Sequence, residues 1–147
     1  MGPLYQRLRA FALAAALAGF GQSAQANDAV IGLWLTKDGE SRVKLERCGE
    51  VICGTIVWLK AAQNDDGSPV VDSNNDDEAL RARPIVGLQI MSGFRATEPQ
   101  VWGEGEIYNP EDGRTYEPTL TLLNDGQLEL EACILFFCQS QIWQRLE

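Results

Sequence analysis

The chain has 147 residues, with 21 acidic against 12 basic side chains, a net charge of −9, four cysteines and no histidine. So acidic a chain is repelled by phosphate backbones and anionic lipid headgroups, which argues against nucleic acid as a partner. The absence of histidine removes the commonest general base and metal ligand. No Gly-x-Ser-x-Gly elbow or phosphate-binding loop is present either, so neither catalysis nor a cofactor is expected.

Residues 1–26 read as a secretory signal peptide. Arg7 and Arg9 make a basic start, and Phe11 to Phe20 is an apolar run shorter than the roughly 20 residues of a membrane span. Ala24-Gln25-Ala26 is a small-residue cleavage site. No cysteine follows the apolar run and the arginines are not adjacent, so neither lipid attachment nor twin-arginine export is indicated. Cleavage leaves one domain, residues 27–147, whose charge becomes −11 as Arg7 and Arg9 depart. Its expected location is periplasmic or secreted, with no membrane insertion after cleavage.

The first expected strand, 30–36, carries Gly32-Leu33-Trp34, and Lys37-Asp38-Gly39 turns the chain back. Strand 41–47 points Val43 and Leu45 one way and most of its charges the other, the alternation of a half-buried strand. Strand 51–59 follows through a tight hairpin flanked by Cys48 and Cys53. A long connection, Ala61 to Pro84, carries the acidic run Asp72-Ser73-Asn74-Asn75-Asp76-Asp77-Glu78. Residues 77–82 suit one or two helical turns, which Pro84 stops.

Strand 86–94 comes next, then strand 99–108, on which strict alternation would put Trp102, Glu104, Glu106 and Tyr108 on one face. Gly103 and Gly105 between them mark a bend or a close backbone approach. Strand 114–123, with Tyr116, Leu120 and Leu122 on one side, follows the turn 109–113. Asn124-Asp125-Gly126 then leads to strand 127–134, with Leu128, Leu130 and Ala132 together. Strand 139–146 ends the chain with Trp143 and Arg145. Eight strands joined mainly by short turns predict an all-β, up-and-down antiparallel barrel, whose interior is either filled by side chains or holds one small ligand. Gly32, Trp34, Trp143 and Arg145 are the expected closure, with the Arg145 guanidinium over the Trp34 indole.

Four cysteines in an exported chain imply disulfides. Both pairs are spaced i, i+5, so that hairpin partners can face each other, and the spacing favours Cys48–Cys53 and Cys133–Cys138. The rival, a four-cysteine zinc site, fits an oxidising compartment poorly.

Candidate chemistry is sparse. Glu104 and Glu106 would act as an acid–base pair only if buried. Asp72 to Asp76 has the first oxygen spacings of a calcium loop, but Asp77 and Arg83 stand where such a loop needs Gly and Glu. Arg81 and Arg83 either pair with the acidic loop or offer their guanidinium groups to a ligand carboxylate.

Gly32-x-Trp34, Cys48-Gly49-x-x-x-Cys53-Gly54-x-Ile56, Asp72-x-Asn74 and Leu80-Arg81-x-Arg83-Pro84-x-x-Gly87-Leu88 occur in that order. Trp102-x-x-Gly105-x-Ile107-Tyr108-x-Pro110-x-x-Gly113-x-x-Tyr116 and Trp143-x-Arg145 follow. In this set the chain resembles the bacterial exported family called domain of unknown function 2147. The resemblance implies a lipocalin-like (calycin) barrel that binds a small apolar molecule. The expected function is therefore binding of a small apolar or amphipathic ligand. Trp102, Tyr108, Arg81 and Arg83 are placed at the mouth, with Asp72 and Asn74 holding the long loop. The alternatives are a protein-interaction module, such as an inhibitor of an envelope enzyme, and a carboxylate-dependent enzyme using Glu104 or Glu106. A ligand-sized cavity favours the first reading, and a filled barrel the second.

Overall fold

The computed structural model describes residues 28–147, and the signal peptide expected at 1–26 lies outside the described residues. Ten strand segments, all paired antiparallel, run in chain order. They are β1 (Gly32–Leu35), β2 (Ser41–Cys48), β3 (Val51–Leu59), β4 (Gln89–Glu98), β5 (Val101–Gly103), β6 (Glu106–Asn109), β7 (Arg114–Tyr116), β8 (Thr119–Leu122), β9 (Leu128–Ile134) and β10 (Phe137–Arg145). β3 pairs with β4 and β1 with β10, so the sheet closes on itself. β5 with β6, and β7 with β8, are two broken strands, which makes this a closed eight-stranded barrel.

The breaks have local causes. At Glu104 the backbone turns to φ +62°, and a Cβ on Gly105 would sit 2.5 Å from the Phe94 ring, so only glycine lets Phe94 pack there. Glu117-Pro118 separates β7 from β8, because proline has no N–H for the ladder. Alternation therefore resets at Glu104. Trp102 points into the core at 1% exposure, whereas Glu104 and Glu106 are both exposed. β4 begins later than its apolar sequence suggests. Residues 85–88 form a turn, with Leu88 N–H donating to the Ile85 carbonyl and Gly87 at φ +94°, and Ile85 and Leu88 enter the core from it.

One apolar cluster fills the barrel. Trp34, Val43, Leu45, Phe94, Leu120 and Leu128 are fully buried, and Met91, Trp102 and Trp143 are 1–2% exposed. A void of ligand size would leave surface on its wall uncovered by other atoms, and these side chains have almost none.

Both disulfides pair as expected, Cys48–Cys53 and Cys133–Cys138, leaving no thiolate for zinc. Their geometries differ. Cys133 and Cys138 are directly opposite in the ladder. Cys48 instead faces Val51 across a two-residue turn, and Cys53 faces Glu46, so this bond runs diagonally over a Cα–Cα distance of 5.9 Å.

The seam between first and last strands is polar as well as apolar. Trp34 lies opposite Arg145 in the ladder, and the Arg145 guanidinium sits 4.2 Å from the Trp34 ring centroid. It also donates to the carbonyls of Ile31 (2.9 Å) and Ala29 (2.6 Å), while the Trp34 Nε1–H donates to the Val30 carbonyl at 3.0 Å. Gly32 makes the room: a Cβ there would lie 2.6 Å from Arg145 Nη1, and its φ of +151° suits glycine. Arg145→Ala removes the cation–π contact, three hydrogen bonds, to the carbonyls of Ile31, Ala29 and Glu147, and the packing of the aliphatic stem. The expected cost is about 1–3 kcal/mol in urea unfolding. Arg145→Lys recovers only part, because an ammonium cannot lie flat on an indole. Arg114→Ala, at an exposed turn, costs under about 0.5 kcal/mol. Equal midpoints for all variants would contradict this seam.

Candidate functional site

The long loop folds back over the end of the barrel that bears the β6–β7 turn. It is ordered by its own backbone: Gln63 bridges Pro69 and Val71 bridges Pro84. The helical turns expected at 77–82 are a single 3-10 turn at Glu78–Leu80, capped by Asp77, whose side chain accepts from Ala79 N–H.

Asp72 is the centre of this region. Its carboxylate is fully buried and is satisfied from three sides. Tyr108 Oη–H donates to Oδ1 at 2.6 Å. Arg83 donates to Oδ2 through Nε (2.9 Å) and Nη2 (2.8 Å), and Asn75 Nδ2 donates to the same oxygen at 2.9 Å. Asn75 Nδ2 also reaches Tyr108 Oη at 3.0 Å, and the Arg83 guanidinium lies 5.6 Å from the Tyr108 ring centroid. Burial alone would raise the Asp72 pKa. The hydrogen bonds from Tyr108, Asn75 and Arg83, with the guanidinium charge, outweigh it and hold the carboxyl below its ordinary value. Burial, then the hydrogen bond to Asp72 and its charge, raise the Tyr108 pKa and keep the phenol a donor.

The candidate residues divide. Asp72, Arg83 and Tyr108 meet directly. Arg81 sits beside them, its Nε donating to the Asn75 carbonyl at 2.7 Å and its Nη1 pairing with Glu78 at 3.5 Å. Asn74 fastens the loop to the β6–β7 turn, donating to the carbonyls of Glu111 (2.9 Å) and Pro110 (3.3 Å). The Asn74 carbonyl lies against Gly113, where a Cβ would come within 2.0 Å of it. Trp102 is elsewhere, buried near the β4–β5 turn at the other end of the barrel. Both arginines are thus engaged by the protein's own oxygens, and so are the Asp72 oxygens that a calcium ion would need. Asn75, 7% exposed, is the member that the sequence did not single out. Loops have no periodicity to mark which of two adjacent asparagines turns inward.

The carboxylates proposed for acid–base work lie on the surface. Glu104, Glu106 and Glu117, with Gly93, Gly103 and Gly105, line an open cleft of about 460 Å³ where β5 gives way to β6 and β7 to β8. All three glutamates are exposed to water.

Asp72 sets an acid limit on the loop. A carboxyl whose pKa is depressed by folding contributes stability above its unfolded pKa and loses it as the pH falls through the folded value. Asp72→Asn should cost about 2–3 kcal/mol at neutral pH, less than the ~3–5 kcal/mol of a fully buried broken pair, because Arg83 keeps a third of its side chain in water. The gap between wild type and Asp72→Asn in urea unfolding should be widest above about pH 4 and narrow below it. A gap independent of pH would contradict an ionised, buried Asp72.

No curated protein matches the chain. A solved structure, protein HP1028 from the human pathogen Helicobacter pylori, described as belonging to the lipocalin family, is similar with a TM-score of 0.68 at 21% identity. The similarity covers 80% of this chain and 83% of that one, and at this identity it establishes the lipocalin-like fold. The family model described as an uncharacterized protein conserved in bacteria, DUF2147, matches residues 32–145, which run from the Gly32 of the seam to its Arg145. The chain belongs to the DUF2147 family.

Proposed function

We propose that this protein is a non-catalytic binding module of the bacterial envelope that works through its outer surface. The observation that carries this reading is the filled interior: three tryptophans and Phe94 occupy the space that a ligand-holding barrel keeps open. The polar residues expected at the mouth are likewise engaged with one another, so the Asp72 network acts as a fastener for the loop. What remains for recognition is the outside, above all the loops and the β9–β10 hairpin. Two disulfides, and the absence of any helix long and apolar enough to cross a membrane among the described residues, fit an exported chain.

A second reading, binding of a small apolar molecule within the barrel, draws on the lipocalin-like fold and the wholly apolar inner wall. It requires the loop to unfasten and the tryptophans to repack around the ligand.

Titration with a fluorescent fatty acid, followed by native mass spectrometry of the gently purified protein, separates the two. The surface reading predicts no stoichiometric complex and no change in tryptophan emission. A one-to-one complex that shifts that emission would overturn it and restore the cavity reading.

A further inference from the structure

We propose that the β9–β10 ribbon is a membrane-docking finger, whose apolar tip dips into the interfacial layer of a zwitterionic phospholipid surface. This deepens the surface-acting reading above and rests on it.

The ribbon projects from the barrel. β8 pairs with β9 only as far as Glu131, and β1 meets β10 only at Gln144 and Arg145. Between these points the two strands have no sheet neighbour but each other among the described residues. At the tip, Ile134 is 62% exposed, Leu135 89%, Phe136 97% and Phe137 81%. Four large apolar side chains in succession, this open to water, are unlike the scattered apolar residues of an ordinary surface.

The turn itself is costly. Leu135 and Phe136 form a two-residue hairpin loop with Leu135 at φ +55°, a position where glycine or asparagine is favoured. The sequence keeps two bulky apolar residues there instead. Cys133–Cys138 ties the strands one pair below the tip, so the tip stays a hairpin and its side chains stay displayed.

Charge distinguishes the partner. Residues 132–144 contain no charged side chain, in a chain with 33 of them. A protein pocket is usually recognised with help from charged as well as polar groups at the rim, and the polar side chains beside this tip, Gln139, Ser140 and Gln141, carry no charge. A lipid interface asks for none, and penalises any charge carried into it. The acidic body would be repelled by anionic lipid. Four residue steps separate Phe136 from Ser140, which faces Glu131, the last residue paired with β8, and they hold the tip about 13 Å beyond that body, over the Debye length of about 8 Å at physiological salt. The unpaired strand edges bar the ribbon from the hydrocarbon core, where no water satisfies them. It therefore docks within the interfacial layer and does not span, a peripheral contact that the expectation of no membrane insertion did not include. Two tips meeting face to face would bury well under the ~1,200 Å² of a stable interface, which disfavours a second copy as the occupant.

The test is co-sedimentation of the mature chain with phosphatidylcholine vesicles. Wild type should sediment with them. Phe136→Asp should weaken partitioning by at least about tenfold, while Leu146→Asp, adding the same charge at the opposite end of the barrel, leaves it unchanged. Leu135→Gly separates binding from stability, since it relieves the turn and should raise the melting temperature while weakening partitioning. Adding phosphatidylglycerol should weaken binding at low salt, and raised salt should restore it. Wild type that stays in the supernatant, or Phe136→Asp that binds as wild type does, would overturn the proposal. A tip-dependent dimer in analytical ultracentrifugation without vesicle binding would also overturn it, in favour of self-association. A stoichiometric fatty-acid complex would sink the filled-barrel reading and leave the vesicle result to stand or fall by itself.

Discussion

Closure of the sheet is the constraint on which the rest depends. Eight strands can close only if the last finds the first, and here both strands are short where they meet: β1 has four residues and shares two ladder positions with β10. Backbone pairing alone is therefore thin at this seam. Arg145 reinforces it by spanning from the last strand to the turn that precedes the first, with its guanidinium on Trp34 and two carbonyls under its nitrogens. Gly32 belongs to the same device, because any side chain there would occupy the guanidinium's position. Once closed, the barrel has a fixed and small radius, and three tryptophans fill it.

A filled barrel changes where function can reside. The same fold with smaller inner residues would hold a ligand; with Trp34, Trp102 and Trp143 inside, the inner wall packs against itself. At one end the long loop is fastened by a buried carboxylate whose lone pairs are taken by Tyr108, Arg83 and Asn75. From the same end projects a ribbon whose last turn is apolar and uncharged. The two features contrast in chemistry: the loop converts polar groups into order, whereas the ribbon tip spends a disulfide and an unfavourable backbone conformation on keeping apolar groups exposed.

Much of this was legible in the sequence, for identifiable reasons. Period-two runs such as Val43/Leu45 and Leu128/Leu130 located strands and their inward faces, because one face of each is buried. The i, i+5 cysteines gave both disulfides, and the Gly32-x-Trp34 and Arg145 pair could be placed on first and last strands. Glu104 was harder. Strict alternation assigns it the face of Trp102, and only Gly105 beneath Phe94, a contact between distant residues, reveals that the strand breaks there. Loop residues were read by composition: Asp72, Arg83 and Asn74 stood out as charged or turn-forming, but which asparagine bonds Asp72 depends on loop geometry that no periodicity encodes. The tip residues 134–137 looked like the end of one buried strand and the approach to another. Their exposure follows from β1 and β8 ending short of them, a property of neighbouring strands that local sequence does not carry.

The central claim is that the barrel interior is filled by its own side chains. Acrylamide quenching of tryptophan emission tests it most directly. Trp34, Trp102 and Trp143 are at most 2% exposed, whereas Trp58, under Arg42 at 4.5 Å, is half-buried. The account predicts blue-shifted emission of which only a minor fraction, from Trp58, is quenched. Quenching of most of the emission in the folded protein would mean that solvent reaches the interior, and would contradict the account.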